Sequence, residues 1–195
     1  MNVSPRTQLR LLGILPLLFF VAQGVHYWRI HQLGHMLWMC NIGSLVLALG
    51  LFFEKSLLVR MAAIWAIPGI FMWFFFYVVS WGVFFSSVLV HVGGLIVAVI
   101  AVRTYRMDRQ AWRYTFGWSL LLQLISRFVT APDLNVNVSH AVQPGFERTF
   151  PSYWMFWLAL TLATAIVLWL SGLLWRTVWP AIEPAPRAAT SVRAR

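Results

Sequence analysis

The chain has one cysteine, Cys40, inside an apolar run (33–51, LGHMLWMCNIGSLVLALGL) that also carries His35 and Asn41. A second apolar run, 81–102, places a lone histidine, His91, at similar depth. A thiol in apolar surroundings is inert unless a neighbour takes its proton, because desolvation disfavours the thiolate. A neutral imidazole on a facing helix is such a neighbour, so Cys40 and His91 are the candidate catalytic pair, nucleophile and base. The ester of a membrane lipid lies just below the headgroups, near the depth expected for Cys40. Arg127, Asn41, Gln123 and Asn137 are the candidates for holding the polar part of such a substrate. Each residue also has a plainer role open to it. Cys40 can be a small packing residue, and His91 can bond a neighbouring helix. His26 and His35 can be interfacial anchors, and Arg127 can extend its head to the lipid surface.

The elements that must position these side chains follow from composition. Of 195 residues, 61% are hydrophobic and 10% charged, and the mean hydropathy is +0.75. Too little polar sequence remains to coat a water-soluble core of this size. A helix spanning the bilayer needs about 20 mainly apolar residues. Six segments qualify, roughly 10–28, 33–53, 57–79, 81–102, 111–131 and 152–175. The expected fold is an all-α, polytopic membrane helix bundle, with 1–179 a single transmembrane domain and 180–195 a disordered basic cytoplasmic tail. The first span is read as retained, because His26, Tyr27 and Trp28 stand where a small-residue cleavage site would be needed. Pro68, inside the third span, is expected to kink it and free a carbonyl. A lone cysteine excludes an internal disulfide and CxxC chemistry.

Six spans put both ends of the chain on one side. That side would hold Arg6, Arg10, Lys55, Arg60, Arg103, Arg106, Arg109, Arg113, Arg176, Arg187, Arg193 and Arg195, against Arg29, Arg127 and Arg148 opposite, or 12 of the 15 basic residues against 3. The positive-inside rule then makes both termini cytoplasmic. The net charge of +10 is read as topology and anionic-lipid contact rather than nucleic-acid binding. Orientation sets depth, at about 1.5 Å per residue. Cys40 is expected roughly 10 Å below the outer end of the second span, and His91 about 15 Å down the fourth. The outer loop, 132–151, adds Asp133, Asn135, Asn137, His140, Glu147 and Arg148 to the same half.

Three functions fit these residues. The first is a thiol acyltransferase or lipid hydrolase with membrane lipids as partners, needing neither cofactor nor metal. The second is a haem protein using two of His26, His35 and His91 as axial ligands. The third is a small structural subunit of a larger membrane complex. The segments LWMCNIGSLVLAL, WAIPG, VFFSSVLVHVGGL and NVNVSHAVQP before FPSYWMFWL resemble the bacterial YwaF-type integral membrane proteins. These are related to animal phospholipid-remodelling transmembrane acyltransferases that use a membrane Cys and His. More distantly the chain resembles the androgen-induced hydrolases of fatty acid esters of hydroxy fatty acids, which use Thr and His. The resemblance covers about residues 33–175. It implies that Cys40 carries the acyl group, that His91 is its base, and that the chain lies in a bacterial inner membrane. Trp38 departs from the histidine common at that position in bacterial relatives. Asn135-Val136-Asn137 stands where an Asn-Tyr pair is more usual.

Overall fold

In an apolar segment the backbone is itself the main polar group to satisfy, and an α-helix does so within the segment. The computed structural model is all-helical, and it describes residues 4–80, 82 and 84–181. Helices α1 (Pro5–Leu12) and α2 (Ile14–Arg29) form one rod, and a 3-10 turn (Leu33–Leu37) leads into α3 (Met39–Phe52). Helix α4 (Ser56–Ser80) runs back, and α5 (Phe85–Val88), a π turn (Leu89–Gly93) and α6 (Gly94–Tyr105) make a further rod. Helix α7 (Ala111–Val129) is followed by two 3-10 turns (Pro132–Leu134 and Val136–Val138) and then by α8 (Tyr153–Val178). Counted as rods these are six helices, in the chain order the apolar runs predict. Among the described residues, four stretches, Thr7–Arg29, Ser56–Phe75, Phe85–Tyr105 and Tyr153–Val178, are long and apolar enough to cross a membrane. The expected tail at 180–195 lies almost wholly outside the described residues.

The bundle is assembled around α4, which packs on α3, α6, α7 and α8. Its contacts are made by small residues: Ala48, Ala62, Ala63, Ala98 and Ala101 are all buried, with Leu51, Val59, Ile64 and Leu168 filling the space between. Lipid is as apolar as leucine, so helices in it gain by close backbone approach rather than by hiding bulk. The bulk faces outward instead. Leu158, Leu162, Ile166, Leu170 and Leu174 recur every four residues along α8 and are all exposed, as are Phe71, Phe74 and Phe75 on α4. Helix α4 passes through Pro68 without ending, and the ring's missing N–H leaves the Ile64 carbonyl without its helical donor.

One end of the bundle is fastened by charged and backbone ties. Arg60 donates to the carbonyls of Tyr105 (2.9 Å) and Arg106 (2.6 Å) and pairs with Asp108, so it closes the carbonyl end of α6, where a cation is favoured. Asp108 in turn accepts from the N–H groups of Gln110 and Ala111 at the start of α7. Met107 bridges to the residues after α8 through Trp179 and Ala181. Arg10 of α1 pairs with Glu54 in the α3–α4 turn. The start of the first rod and the end of the last therefore meet the same end of the bundle.

The second span is not the continuous helix expected over 33–53. Its helical part, α3, has 14 residues, a length of about 21 Å against roughly 30 Å of hydrocarbon. Residues 33–37 form a 3-10 turn, and Trp38 is non-helical (φ −54°, ψ 136°). The cause is competition from side-chain amides for the backbone groups a helix would pair internally. Asn41 Nδ2 donates to the His35 carbonyl, Asn137 Nδ2 donates to the Leu37 carbonyl, and Asn137 Oδ1 accepts from the Met39 N–H. Cys40 therefore lies in the first turn of its helix rather than about 10 Å along it.

Candidate functional site

Because α3 starts at Met39, Cys40 is its second residue, and the N–H groups of Cys40 and Asn41 lie beside the sulfur. A helix N-terminus favours negative charge, which is why reactive thiols often sit there. The thiol donates to Asn41 Oδ1 over 3.9 Å. Asn41 is itself buried, held to His35, and so spaces the turn from the helix.

His91 lies at the centre of the π turn Leu89–Gly93. A π turn adds one residue to the helical repeat and re-aims the side chains around it, and such turns cluster at functional sites. The ring is fixed on three sides. Nδ1 bonds the Ser87 carbonyl at 2.8 Å, and Trp73 stacks on the ring with centroids 5.5 Å apart. Gly69 of α4 presents no side chain to it, and a Cβ there would lie 4.0 Å from Cδ2. A carbonyl only accepts, so Nδ1 carries the proton and Nε2 is left with its lone pair. With α5 starting at Phe85, His91 is six residues into its rod, roughly 9 Å along it.

Cys40 and His91 line one cleft of about 30 Å³, between α3, α4 and the π turn, with Ser44, Trp65, Gly69 and Gly94. Both are half-buried. No hydrogen bond joins them directly among the described residues. A second cleft, of about 50 Å³, lies across Trp65 and is lined by Met39, Ser119, Gln123, Asn137, Thr161 and Thr164 among others. Trp65 Nε1 and Thr161 Oγ1 are buried there with no hydrogen-bond partner among the described residues.

The structure gives the four expected substrate-holding residues internal partners. Asn41 holds His35 as described. Asn137 also donates to Ser126 Oγ (2.9 Å), and its carbonyl accepts from Gln123 Nε2 (3.1 Å). Gln123 Oε1 accepts from Trp157 Nε1. Arg127 donates to the Ser139 carbonyl (2.6 Å) and lies over the rings of Tyr153 and Trp154, 5.2 and 5.4 Å from their centroids. Asn137, Gln123 and Arg127 thus lock the 132–151 loop onto α7, α8 and the start of α3. Of the other histidines, His26 stacks on Phe84 at 3.8 Å, and His35 Nδ1 accepts from Trp38 Nε1.

Two polar residues of the first rod, Tyr27 near Cys40 and Gln23 beside Tyr27, were not singled out by the sequence as part of the site. The Tyr27 hydroxyl lies near Cys40 and the amides of Asn41 and Gln23, and Gln23 is buried, its Oε1 unpaired among the described residues. Their signal was available: a glutamine and a tyrosine one turn apart in an otherwise apolar span share a face. Comparison of the chain with protein-family models, with curated proteins and with solved structures finds no match in any of the three. What the residues can do chemically therefore rests on their arrangement: a thiol at a helix start, an imidazole with a free nitrogen in the same cleft, and buried amides around them.

Proposed function

We propose that the chain is a membrane-embedded thiol acyltransferase, or lipid hydrolase, acting on phospholipid or lyso-lipid acyl chains through Cys40 and His91. The observation that carries this reading is the shared cleft, in which the Nδ1–H bond to Ser87 leaves His91 Nε2 as the proton acceptor. In the first half, His91 takes the thiol proton as sulfur attacks the ester carbon. The C–S bond forms, the C–O bond breaks, and the proton passes to the departing alcohol. In the second half, a lyso-lipid hydroxyl or water attacks the thioester, and its proton returns to sulfur by way of His91. Only the ester has to reach the cleft, since the tail remains in the bilayer. The 12-to-3 asymmetry of basic residues supports cytoplasmic termini and a cleft in the outer half of the membrane. The resemblance to the YwaF-type proteins points to the same two residues and to a bacterial inner membrane.

The test is an acyl-transfer probe with intact-mass readout on wild type, Cys40→Ala and His91→Ala, with folding checked by size exclusion. Wild type gains the mass of one acyl group and Cys40→Ala gains none. His91→Ala is slowed by about two to four orders of magnitude, the usual scale for losing a general base. Equal acylation of wild type and His91→Ala overturns the mechanism. One observation favours a second reading, a structural subunit of a larger membrane complex: Arg127, Asn41, Gln123 and Asn137 all have internal partners. Co-purification at fixed stoichiometry, unchanged in Cys40→Ala and with no acylation, would select it.

A further inference from the structure

Along 71–75 of α4, Phe71, Met72, Phe74 and Phe75 are exposed, and Trp73 between them is half-buried. Apolar bulk in a bilayer gains nothing by leaving the lipid face, so an inward indole calls for a partner. The base and the residue that holds it supply two contacts. The Trp73 ring lies against His91, with centroids 5.5 Å apart and planes 20° from parallel. Its Nε1–H donates to Ser87 Oγ at 2.8 Å, and the carbonyl of the same serine holds His91 Nδ1. Gly69, one turn before Trp73 and so on the same face, brings no side chain against the edge of the imidazole. The indole is therefore fixed relative to His91 twice, by its stack and through Ser87.

A nucleophile–base pair needs a third group that orients the base and steadies the cation it becomes, and a carboxylate commonly serves. Among the described residues, no carboxylate lines the cleft of Cys40 and His91. An aromatic face does related work, since a cation within about 6 Å of a ring centroid is attracted by the π-system, most strongly by tryptophan. We propose that Trp73 is the positioning residue of the pair, its face steadying the imidazolium formed when the Cys40 proton moves to His91 Nε2. This rests on the Cys40–His91 reading above. In that step the S–H bond breaks, the Nε2–H bond forms, and sulfur keeps the electron pair. The positive charge spreads over the ring that faces the indole, while Nδ1–H stays on the Ser87 carbonyl. The stack is stronger after the transfer than before it, and only an interaction of that kind speeds a step.

Cys40 is the only thiol of the chain, so its alkylation by N-ethylmaleimide reports the proton transfer without any lipid substrate. The rate is read by intact mass on full-length protein in detergent at one pH. His91→Ala is expected to slow alkylation. Trp73→Leu is expected to slow it about two- to thirtyfold, the scale of a cation–π contact. Trp73→Phe keeps an aromatic face and is expected to recover most of that loss. The double variant Trp73→Leu/His91→Ala is expected to react no more slowly than His91→Ala, because the indole acts through the imidazole. A packing role alone forecasts the opposite, the same slowing by Trp73→Leu with and without His91. That result, a wild-type rate in Trp73→Leu, or Trp73→Phe as slow as Trp73→Leu overturns the proposal. Equal rates for wild type and His91→Ala overturn the pair reading itself, and the proposal falls with it. If Trp73→Leu aggregates on size exclusion, Trp73→Met, which is apolar and lacks the aromatic face, carries the same expectations.

Discussion

Asn137 holds more of the site together than either residue of the pair. It sits in the left-handed region (φ 53°), bonds the backbone at Leu37 and Met39, and reaches Ser126. Asn137→Ala leaves buried groups unpaired at roughly 1–3 kcal/mol each and strains the backbone by a further 1–2 kcal/mol or so. The expected result is a large fall in melting temperature in detergent. Asn137→Asp, which keeps the acceptor and tolerates the backbone, falls between. His35, in the 3-10 turn before α3, adds a pH dependence. Burial lowers its pKa from the ordinary 6.5, with Asp133 opposing, so the folded state prefers the neutral ring. That stability is complete above about 6.5 and is lost as pH falls below it, and protonating Nδ1 also removes the bond from Trp38. Melting temperature should drop between pH 7 and 5, and His35→Gln should flatten the drop. At this scale the sequence led to Cys40 and His91 because a lone thiol and a lone imidazole in apolar runs are conspicuous. It passed over Gln23 and the clamping role of Asn137, since a buried amide declares itself only through its partners.

At the scale of elements, the rods were legible because apolar length decides them, and the helix ends were not. The start of α3 is fixed by Asn137, nearly a hundred residues away, and local propensity carries no trace of that. The π turn is equally hidden, since Val90-His91-Val92 is ordinary helix sequence. Gly93 and Gly94 give no side chain to this face of the rod, and the residues that approach them are Phe19 and Ser44. Gly93→Ala should therefore destabilise by forcing Phe19 away, with a cost of about 1–3 kcal/mol as for other overpacked sites. Phe19→Ala in the same chain should recover part of it. Thermal melts of the two single variants and the double variant measure the coupling, and simple additivity would show that the contact does not limit packing.

At the scale of the whole molecule, the ties among Arg10, Glu54, Arg60, Asp108, Met107 and Trp179 bring the start of the first rod and the end of the last to one end of the bundle. The proposed direction rests on the asymmetry of basic residues alone. A cysteine introduced near Arg187 in a Cys40→Ala background should react with an impermeant maleimide only after permeabilisation. Labelling in intact cells would reverse the orientation and move the cleft to the inner leaflet. The all-helical class was readable from composition because so little polar residue is present to coat a soluble core. Inter-helix register was not, because in lipid it depends on which small residues meet.

The π turn around His91 has a consequence for how this chain tolerates insertion and deletion. Its extra residue turns everything after it by about 100° relative to a plain α-helix. A chain shorter by one residue between 89 and 93 could relax to regular helix with its apolar composition intact. Such a deletion would leave a sound membrane helix and separate the facing of His91 from that of Gly94 and Val97, which pack on the rest of the bundle. The length of this one turn thus carries information that residue identity does not, and an otherwise similar chain lacking it would keep the bundle and lose the alignment of the cleft.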